Sequence, residues 1–201
     1  MRAERGILAN RRILSDVLTC RIDDELELRL LNTRDAPALF ALVEANRSYL
    51  RQWLPWLDSN RVEQDTLGFI TWARRQFADT KDVVAGMWYR GALVGVVGLH
   101  GINAANSSAS IGYWIAQNWQ GRGIVTRSTR AIVDYGFREL QLNRIEIRCA
   151  AGNARSCAVP VRLGFTREGT LREAERLYDR FEASVVFGVL RAEWLGRCKS
   201  T

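Results

Sequence analysis

The chain has 201 residues and a formal net charge of +7, a length that suits one globular domain needing neither a metal nor a disulfide to fold. Four cysteines without Cys-x-x-Cys spacing and a single histidine, His100, argue against the common structural zinc sites, so no metal is expected. The sequence has no membrane-length apolar run and no signal peptide, which favours a soluble cytoplasmic protein.

Periodicity along the chain predicts a mixed domain. Residues 1–18 have no clean period and are predicted to be a loosely held extension of a domain over 19–201. Apolar runs and alternation predict seven strands, at Glu25–Leu31, Val83–Tyr89, Ala92–Leu99, Ser110–Ala116, Arg144–Ala150, Thr166–Leu171 and Ala183–Leu190. Apolar residues at helical spacing predict four helices, after Pro37 as far as Leu50, and over Val62–Phe77, Gly123–Leu140 and Asn153–Leu163. Because strands and helices do not alternate regularly, the expected fold class is α+β.

The segment from Gly112 to Thr126 passes from a strand through a glycine-rich turn into a helix. Gly121 and Gly123 allow a tight turn that brings bare backbone N–H groups against a ligand. The start of the helix adds unpaired N–H groups and the positive end of its dipole, which suit a phosphate. The turn lacks the Gly-Lys-Ser/Thr of a P-loop and the third glycine of a dinucleotide fingerprint. Taken alone, such a turn is more often purely structural.

The distribution of charge favours an anion near this turn. No Asp or Glu occurs in Val83–Val133, whereas Arg90, Arg122, Arg127 and Arg130 lie within it. This stretch therefore carries +4 of the net charge, and it would attract a polyphosphate. Apolar strands are poor in acids in any case, which explains part of the pattern.

Several motifs together resemble one family. Gln120-Gly-Arg-Gly-Ile-Val125 resembles the acetyl-coenzyme A signature of the GNAT (Gcn5-related) N-acetyltransferases, Gln/Arg-x-x-Gly-x-Gly/Ala. Val125 stands where the superfamily usually has Gly or Ala, a departure typical of the RimJ/RimL-type ribosomal-protein N-terminal acetyltransferases. Further matches to that branch, in the same order, are Asn46–Trp56, Asn143–Glu146, Asn153-Ala-Arg-Ser156, Gly164-Phe165 and Glu168-Gly169. The resemblance covers roughly residues 20–195.

The resemblance implies a fold and a cofactor. The fold is a mixed, mostly antiparallel seven-stranded sheet flanked by about four helices, and the sheet is splayed between its fourth and fifth strands, Ser110–Ala116 and Arg144–Ala150. In the family the turn binds the pyrophosphate of acetyl-coenzyme A, which implies cofactor contacts at Gln120, Gly121, Arg122, Gly123, Ile124, Val125, Thr126 and Asn153. The pantetheine arm lies in the splay, which implies contacts with backbone groups of Trp114, Ile115 and Ala116.

The implied reaction is acyl transfer from a thioester to a neutral amine, within a ternary complex. In many GNAT enzymes a tyrosine seven residues after the motif asparagine serves the leaving thiolate, and that position is Pro160 here. The branch implies Ser156 instead, although a serine in a first helical turn can also simply bond backbone groups. For the base it implies a glutamate after Glu168-Gly169, and Glu175 fits that spacing better than Glu173. Both glutamates could instead be solvated, or could attract a cationic substrate.

Other residues give weaker predictions. His100 is a rival base, although a core or surface histidine is commoner. Cys149 and Cys157 flank the expected thioester position, but because the family transfers acetyl directly, they are expected to be small core residues. Trp53 and Trp56, beside the Pro55 break, could line the acceptor channel.

The branch implies the N-terminal amine of a ribosomal protein as the prototype acceptor. The alternative is a small amine such as a polyamine or an aminoglycoside, because the fold motif does not fix the substrate. A homodimer is expected from the family, with no direct contact to nucleic acid or membrane. A ribosome- or RNA-binding module would need a basic stripe with interleaved aromatic residues, which the sequence lacks. A catalytically inactive acyl-coenzyme A sensor fits less well because Ser156 and Glu175 are present.

Overall fold

The computed structural model describes residues 19–197. The predicted extension over 1–18 lies outside the described residues, so the domain boundary stays a prediction. Within the described range, no helix is both long and apolar enough to cross a bilayer.

The described part of the chain has eight strands and six α-helices. The strands are β1 (Thr19–Arg21), β2 (Leu26–Leu30), β3 (Val83–Tyr89), β4 (Ala92–Asn103), β5 (Ser108–Ile115), β6 (Arg144–Ala150), β7 (Thr166–Leu177) and β8 (Arg180–Leu190). The helices are α1 (Ala36–Ala45), α2 (Arg47–Leu50), α3 (Glu63–Ala78), α4 (Ile124–Arg138), α5 (Ala154–Arg162) and α6 (Arg191–Arg197).

The predicted α+β class is confirmed, but the predicted counts of strands and helices were too low. The eighth strand is β1, which has only three residues and is too short for its sequence to alternate detectably. The two further helices are the single turn α2, which continues the first predicted helix after a break at Asn46, and the short α6.

All eight strands form one sheet in the order β1-β2-β3-β4-β5-β6-β8-β7. Every neighbouring pair is antiparallel except β5 and β6, which are parallel. That parallel pairing extends only from Ser108 to Ile111 on β5 and from Arg144 to Ile147 on β6. Beyond it, β5 pairs only with β4, and β6 pairs only with β8. The predicted splay is therefore confirmed, and it opens at the ends of β5 and β6.

Helices cover both faces of the sheet. Alternate residues of β3 belong to different apolar clusters, because successive side chains of a strand point to opposite faces. Ala85 packs in the larger cluster with Ile132 and Phe137 of α4, whereas Val84 packs in a second cluster with Ile70 of α3. The larger cluster fixes α4 against the sheet, and this packing brings the start of α4 to the splay.

Candidate active site

A cavity of about 840 Å³ lies where β5 and β6 separate. Its walls are the end of β5, the turn and first residues of α4, one face of α5, and residues 49–54 after α1. A volume of this size suits a cofactor or a drug-sized ligand. The cavity therefore brings together segments that are more than a hundred residues apart in the sequence.

The turn before α4 presents free backbone N–H groups to the cavity. Gly121 and Gly123 have φ values of 73° and 70°, in the left-handed region that disfavours other residues. Gly123 is the N-cap of α4, and no side chain in the described range caps the helix there. Residues Ile124, Val125 and Thr126 line the cavity, and their N–H groups are among the four that a helix start leaves without internal acceptors.

The end of β5 offers an unpaired backbone edge. Ala116 is buried, its N–H donates to the Val94 carbonyl at 2.9 Å, and its own carbonyl accepts from Trp119 at 3.0 Å. Because backbone groups alternate sides along a strand, those of Tyr113 and Ile115 point towards the splay. Of the three predicted pantetheine contacts, Ile115 therefore has backbone groups that are free at the open edge. The N–H and carbonyl of Ala116 instead form hydrogen bonds within the protein.

Gln120 connects the two walls of the cavity. Its side-chain nitrogen donates to the hydroxyl of Tyr49 on α2, and its Oε1 accepts from Arg155 Nη1 on α5 at 2.5 Å. Arg122 lies outside the lining, with its guanidinium 4.9 Å from the ring centre of Trp119. The glycine-rich turn is thereby tied to a helix on each side.

The predicted positive field around the turn is weaker than the sequence indicates. Arg127 forms an ion pair with Asp23, and Arg90 forms one with Glu25 at 2.5 Å. Both acids lie before the acid-free stretch, so they neutralise two of its four arginines. Positive charge reaches the cavity instead from α5, where Arg155 and Arg162 form part of the lining.

Ser156 lies at the cavity wall between two other polar side chains. Its hydroxyl is 3.2 Å from the sulfur of Cys149 and 3.3 Å from the hydroxyl of Tyr113. Asn153 caps α5, with its Oδ1 accepting from the Ser156 N–H at 3.1 Å. Burial raises the pKa of Cys149 to about 11, and burial likewise raises the pKa of Tyr113. Both neighbours of Ser156 are therefore neutral at physiological pH.

Glu175 lies outside the lining of the cavity, and two intervening residues connect it to Trp53 of the lining. It pairs across the β7–β8 hairpin with Glu182, whose Oε1 accepts from the Gly152 N–H at 3.2 Å. Gly152 in turn lies against Trp53, because a Cβ on Gly152 would approach the Trp53 ring to 3.2 Å. Burial raises the pKa of Glu175, and the charge of Glu182 adds to that effect.

Glu173 differs from Glu175 in its surroundings. It is exposed and has a φ of 48°, within an irregularity of the β7–β8 pairing between Leu171 and Glu175. The regular alternation that would place both carboxylates on one strand face is therefore interrupted.

The remaining sequence candidates divide between the cavity and the rest of the fold. Trp53 lines the cavity, whereas Trp56 is 39% exposed and packs on Trp114, which lines it. His100 lies outside the lining, with its Nδ1 3.5 Å from Asp82 Oδ2. Cys149 is buried in the larger apolar cluster, and Cys157 packs against that cluster.

Sequence reasoning missed several residues of this site. Tyr113 could have been found, because it lies next to Trp114 on a predicted strand that borders the splay. Arg155 and Arg162 are seven residues apart, which puts them on one face of a helix. Tyr49 and Glu182 gave no local signal, since each reaches the site through contacts distant in sequence.

Comparisons with known proteins agree with this geometry. The sequence model described as "Acetyltransferase (GNAT) domain" matches residues 25–166. YdaF of Bacillus subtilis (strain 168), assigned by name to the ribosomal N-acetyltransferases, is 38% identical over 182 residues, which are 90% of this chain and 99% of YdaF.

Two solved structures carry ligands in a similar fold. RimL, described as a ribosomal L7/L12 alpha-N-protein acetyltransferase in complex with coenzyme A, superposes with a TM-score of 0.84 at 26% identity, over 86% of this chain and 98% of RimL. The microcin C7 self-immunity acetyltransferase MccE, in complex with acetyl-CoA and AMP, gives a TM-score of 0.80 at 28% identity, over 84% of this chain and 94% of MccE. The motifs, the splayed sheet and these matches together show that the chain belongs to the GNAT family of acetyltransferases.

Proposed function

We propose that this GNAT acetyltransferase transfers acetyl from acetyl-coenzyme A to the N-terminal amine of a ribosomal protein. The observation that carries the proposal is that the uncapped start of α4, the open edge of β5 and the Ser156 hydroxyl all border one cavity. An anion site, a strand-like groove and a proton donor are what this reaction requires of the protein.

The residues present fit coenzyme A. Gly121 and Gly123 leave open space where a side chain would stand, since a Cβ at either position would meet nothing within 4 Å. The N–H groups of residues 124–126 would hold the diphosphate, and the backbone of Tyr113 and Ile115 would bond the pantetheine amides. When bound, acetyl-coenzyme A supplies an activated acetyl thioester. The relatives MccE and RimL, solved with acetyl-CoA and with coenzyme A, support this assignment.

Ser156 is the proposed proton donor to the departing sulfur. Its hydroxyl borders the cavity, and its neighbours Cys149 and Tyr113 are themselves neutral hydrogen-bonding groups. A hydrogen bond from this hydroxyl stabilises the sulfur as the C–S bond breaks. The proton that passes to the sulfur is replaced on the serine oxygen by the proton that the attacking nitrogen loses as the amide forms. Asn153 supports this role because its cap fixes the first turn of α5, and hence the position of Ser156.

Glu175 is the proposed base, acting through water. The amine must lose a proton before it attacks, and a raised pKa makes the Glu175 carboxylate a better acceptor than an ordinary surface acid. Because Glu175 lies outside the lining and is linked to Trp53 through Glu182 and Gly152, we expect a water between its carboxylate and the amine. His100 is less suitable, because it lies away from the cavity and beside Asp82.

The protein N-terminus is preferred over small amines as the acceptor. The name given to YdaF and the description of RimL support it. A small-molecule acceptor is the second candidate, because the relative MccE is described as a microcin C7 self-immunity acetyltransferase and not as a ribosomal one. A ribosomal acceptor would place the reaction in the cytoplasm, and the expected homodimer is tested by analytical ultracentrifugation.

An acceptor panel tests the proposed function. Purified enzyme and acetyl-coenzyme A are incubated with peptides bearing a free N-terminus, the same peptides blocked at the N-terminus but containing lysine, a polyamine and an aminoglycoside. We expect mass spectrometry to find acetyl on the free α-amine only. Faster transfer to the polyamine or the aminoglycoside would favour the small-molecule alternative, and binding of acetyl-coenzyme A without any transfer would indicate a non-catalytic module.

A further inference from the structure

Arginine supplies all of the charge in the cavity lining. Three arginines and no Asp or Glu border it within the described range of the chain. Arg127 is neutralised by Asp23, and Arg155 donates to Gln120. The side chain of Arg162 has no ion pair or hydrogen bond with any described residue. The cavity therefore has positive charge that the fold leaves uncompensated, and that charge is on α5.

The direction of α5 separates this charge from the acceptor side of the cavity. The helix begins after Gly152, which lies against Trp53, a residue expected from the sequence to line the acceptor channel. Arg155 is in its first turn and Arg162 is its last residue, so the two lie on one face about 10 Å apart along the axis. Arg162 is thus at the end of the cavity wall that is farthest from Trp53 along the helix.

The ligand proposed for this cavity has two separate phosphate centres. Coenzyme A has a diphosphate between its pantetheine arm and its ribose, and a phosphate monoester on the 3′ oxygen of that ribose. The few free N–H groups at the start of α4 match one centre, the diphosphate. The monoester then needs cations of its own, and a guanidinium matches a phosphate through two parallel hydrogen bonds.

We propose that Arg162 binds the 3′-phosphate of coenzyme A and makes the enzyme prefer the cofactor over its 3′-dephospho form. The proposal rests on the proposed binding of acetyl-coenzyme A. An acidic segment of the acceptor is the competing partner of this arginine. The position of Arg162 at the end of α5 away from Trp53 favours the cofactor.

Isothermal titration calorimetry with coenzyme A and 3′-dephospho-coenzyme A tests the proposal. Wild type should bind coenzyme A roughly tenfold more tightly than the dephospho form, because a charge-assisted contact with an exposed arginine is lost. Arg162→Gln should reduce this preference to near unity, by weakening binding of coenzyme A alone. The control is Arg75→Gln, which removes an exposed arginine from the last turn of α3, outside the cavity, and should leave the preference unchanged.

Each other outcome overturns the inference in a distinct way. If Arg162→Gln retains the preference for coenzyme A, another group binds the 3′-phosphate. If Arg162→Gln weakens the binding of both ligands equally, Arg162 contributes only a non-specific electrostatic attraction. A raised KM for the acceptor peptide with unchanged cofactor affinity assigns the arginine to the acceptor. If wild type binds neither nucleotide, the proposed function itself fails, which separates that failure from the failure of the subsite.

Discussion

The Tyr113 hydroxyl donates a hydrogen bond of 2.9 Å to the backbone carbonyl of Ser156. In an unbroken helix that carbonyl would accept from the N–H four residues later, but the residue there is Pro160, which has none. Pro160 thus occupies the position at which many GNAT enzymes have a tyrosine. Its missing N–H also leaves the Ser156 carbonyl free to accept from the hydroxyl of Tyr113 on β5. Tyr113 and Ser156 are joined a second time through their hydroxyls, 3.3 Å apart.

Replacing Ser156 should impair turnover while leaving the fold intact. We expect Ser156→Ala to lower kcat about a hundredfold, the usual effect of losing an acid catalyst, with little change in the Kd of acetyl-coenzyme A. Asn153 and Tyr113 bond the backbone of Ser156, so both contacts survive the substitution and the melting temperature should hold. Steady-state kinetics with calorimetry checks this, and an unchanged kcat would remove the acid role.

Replacing Glu175 should lower kcat and raise the melting temperature at neutral pH. The pKa of Glu175 is raised in the folded protein, so its ionised form costs stability above that pKa, and the cost vanishes as pH falls below the ordinary carboxyl value. Glu175→Gln should therefore raise the melting temperature at neutral pH and not at acidic pH. Its kcat should fall roughly a hundredfold, with loss of the rising limb of the pH–rate profile.

Glu173→Gln is the matched control for Glu175. Glu173 is an exposed glutamate two residues away, and we expect wild-type kinetics and stability from this variant. If the profile changes in Glu173→Gln and stays intact in Glu175→Gln, the base is Glu173.

Replacing Gly123 should weaken cofactor binding through the backbone. Alanine at a left-handed position costs about 1 kcal/mol, and a turn that relaxes would redirect the N–H groups at the start of α4. Gly91→Ala is the control, because Gly91 has a φ of 79° and open space around it but lies in the β3–β4 turn. Thermal melts should show similar losses of stability in both variants. Only Gly123→Ala should raise the Kd of acetyl-coenzyme A, and an equal Kd in the two variants would argue against the anion site.

Replacing Cys149 should leave catalysis largely intact. A thiol with a pKa of about 11 is almost entirely protonated at neutral pH, and the thiolate is the nucleophile. We expect Cys149→Ala to retain most of its turnover and to lose about 1 kcal/mol of stability from the buried site. Complete loss of kcat in a folded variant, or an acetylated Cys149 in a quenched reaction, would instead indicate a covalent relay.

The sequence predicted local features well and distant pairings poorly. The strand Val83–Tyr89 and the helix that starts after Asn153 depend on short stretches whose pattern is readable, whereas the splay was implied only by the family resemblance. The acid-free stretch was misleading because Arg127 meets Asp23 across 104 residues and Arg90 meets Glu25 across 65. Ion pairs between residues this far apart in the sequence can be identified only once the fold is known.

The site shows the same division. The glycine turn and Ser156 could be predicted because family motifs mark them. The Glu175–Glu182 pair and the Gln120 bridge could not, since hairpin register and cavity walls decide them. The irregular φ of Glu173, which interrupts the alternation with Glu175, likewise depends on the pairing of β7 with β8.

Titration of the purified wild-type chain with acetyl-coenzyme A tests most directly whether the cavity between β5 and β6 is a cofactor site. We predict one saturable site per chain, a melting temperature that rises with ligand concentration, and loss of affinity in Gly123→Ala but not in Gly91→Ala. The absence of saturable binding and of any thermal shift at millimolar acetyl-coenzyme A would contradict it.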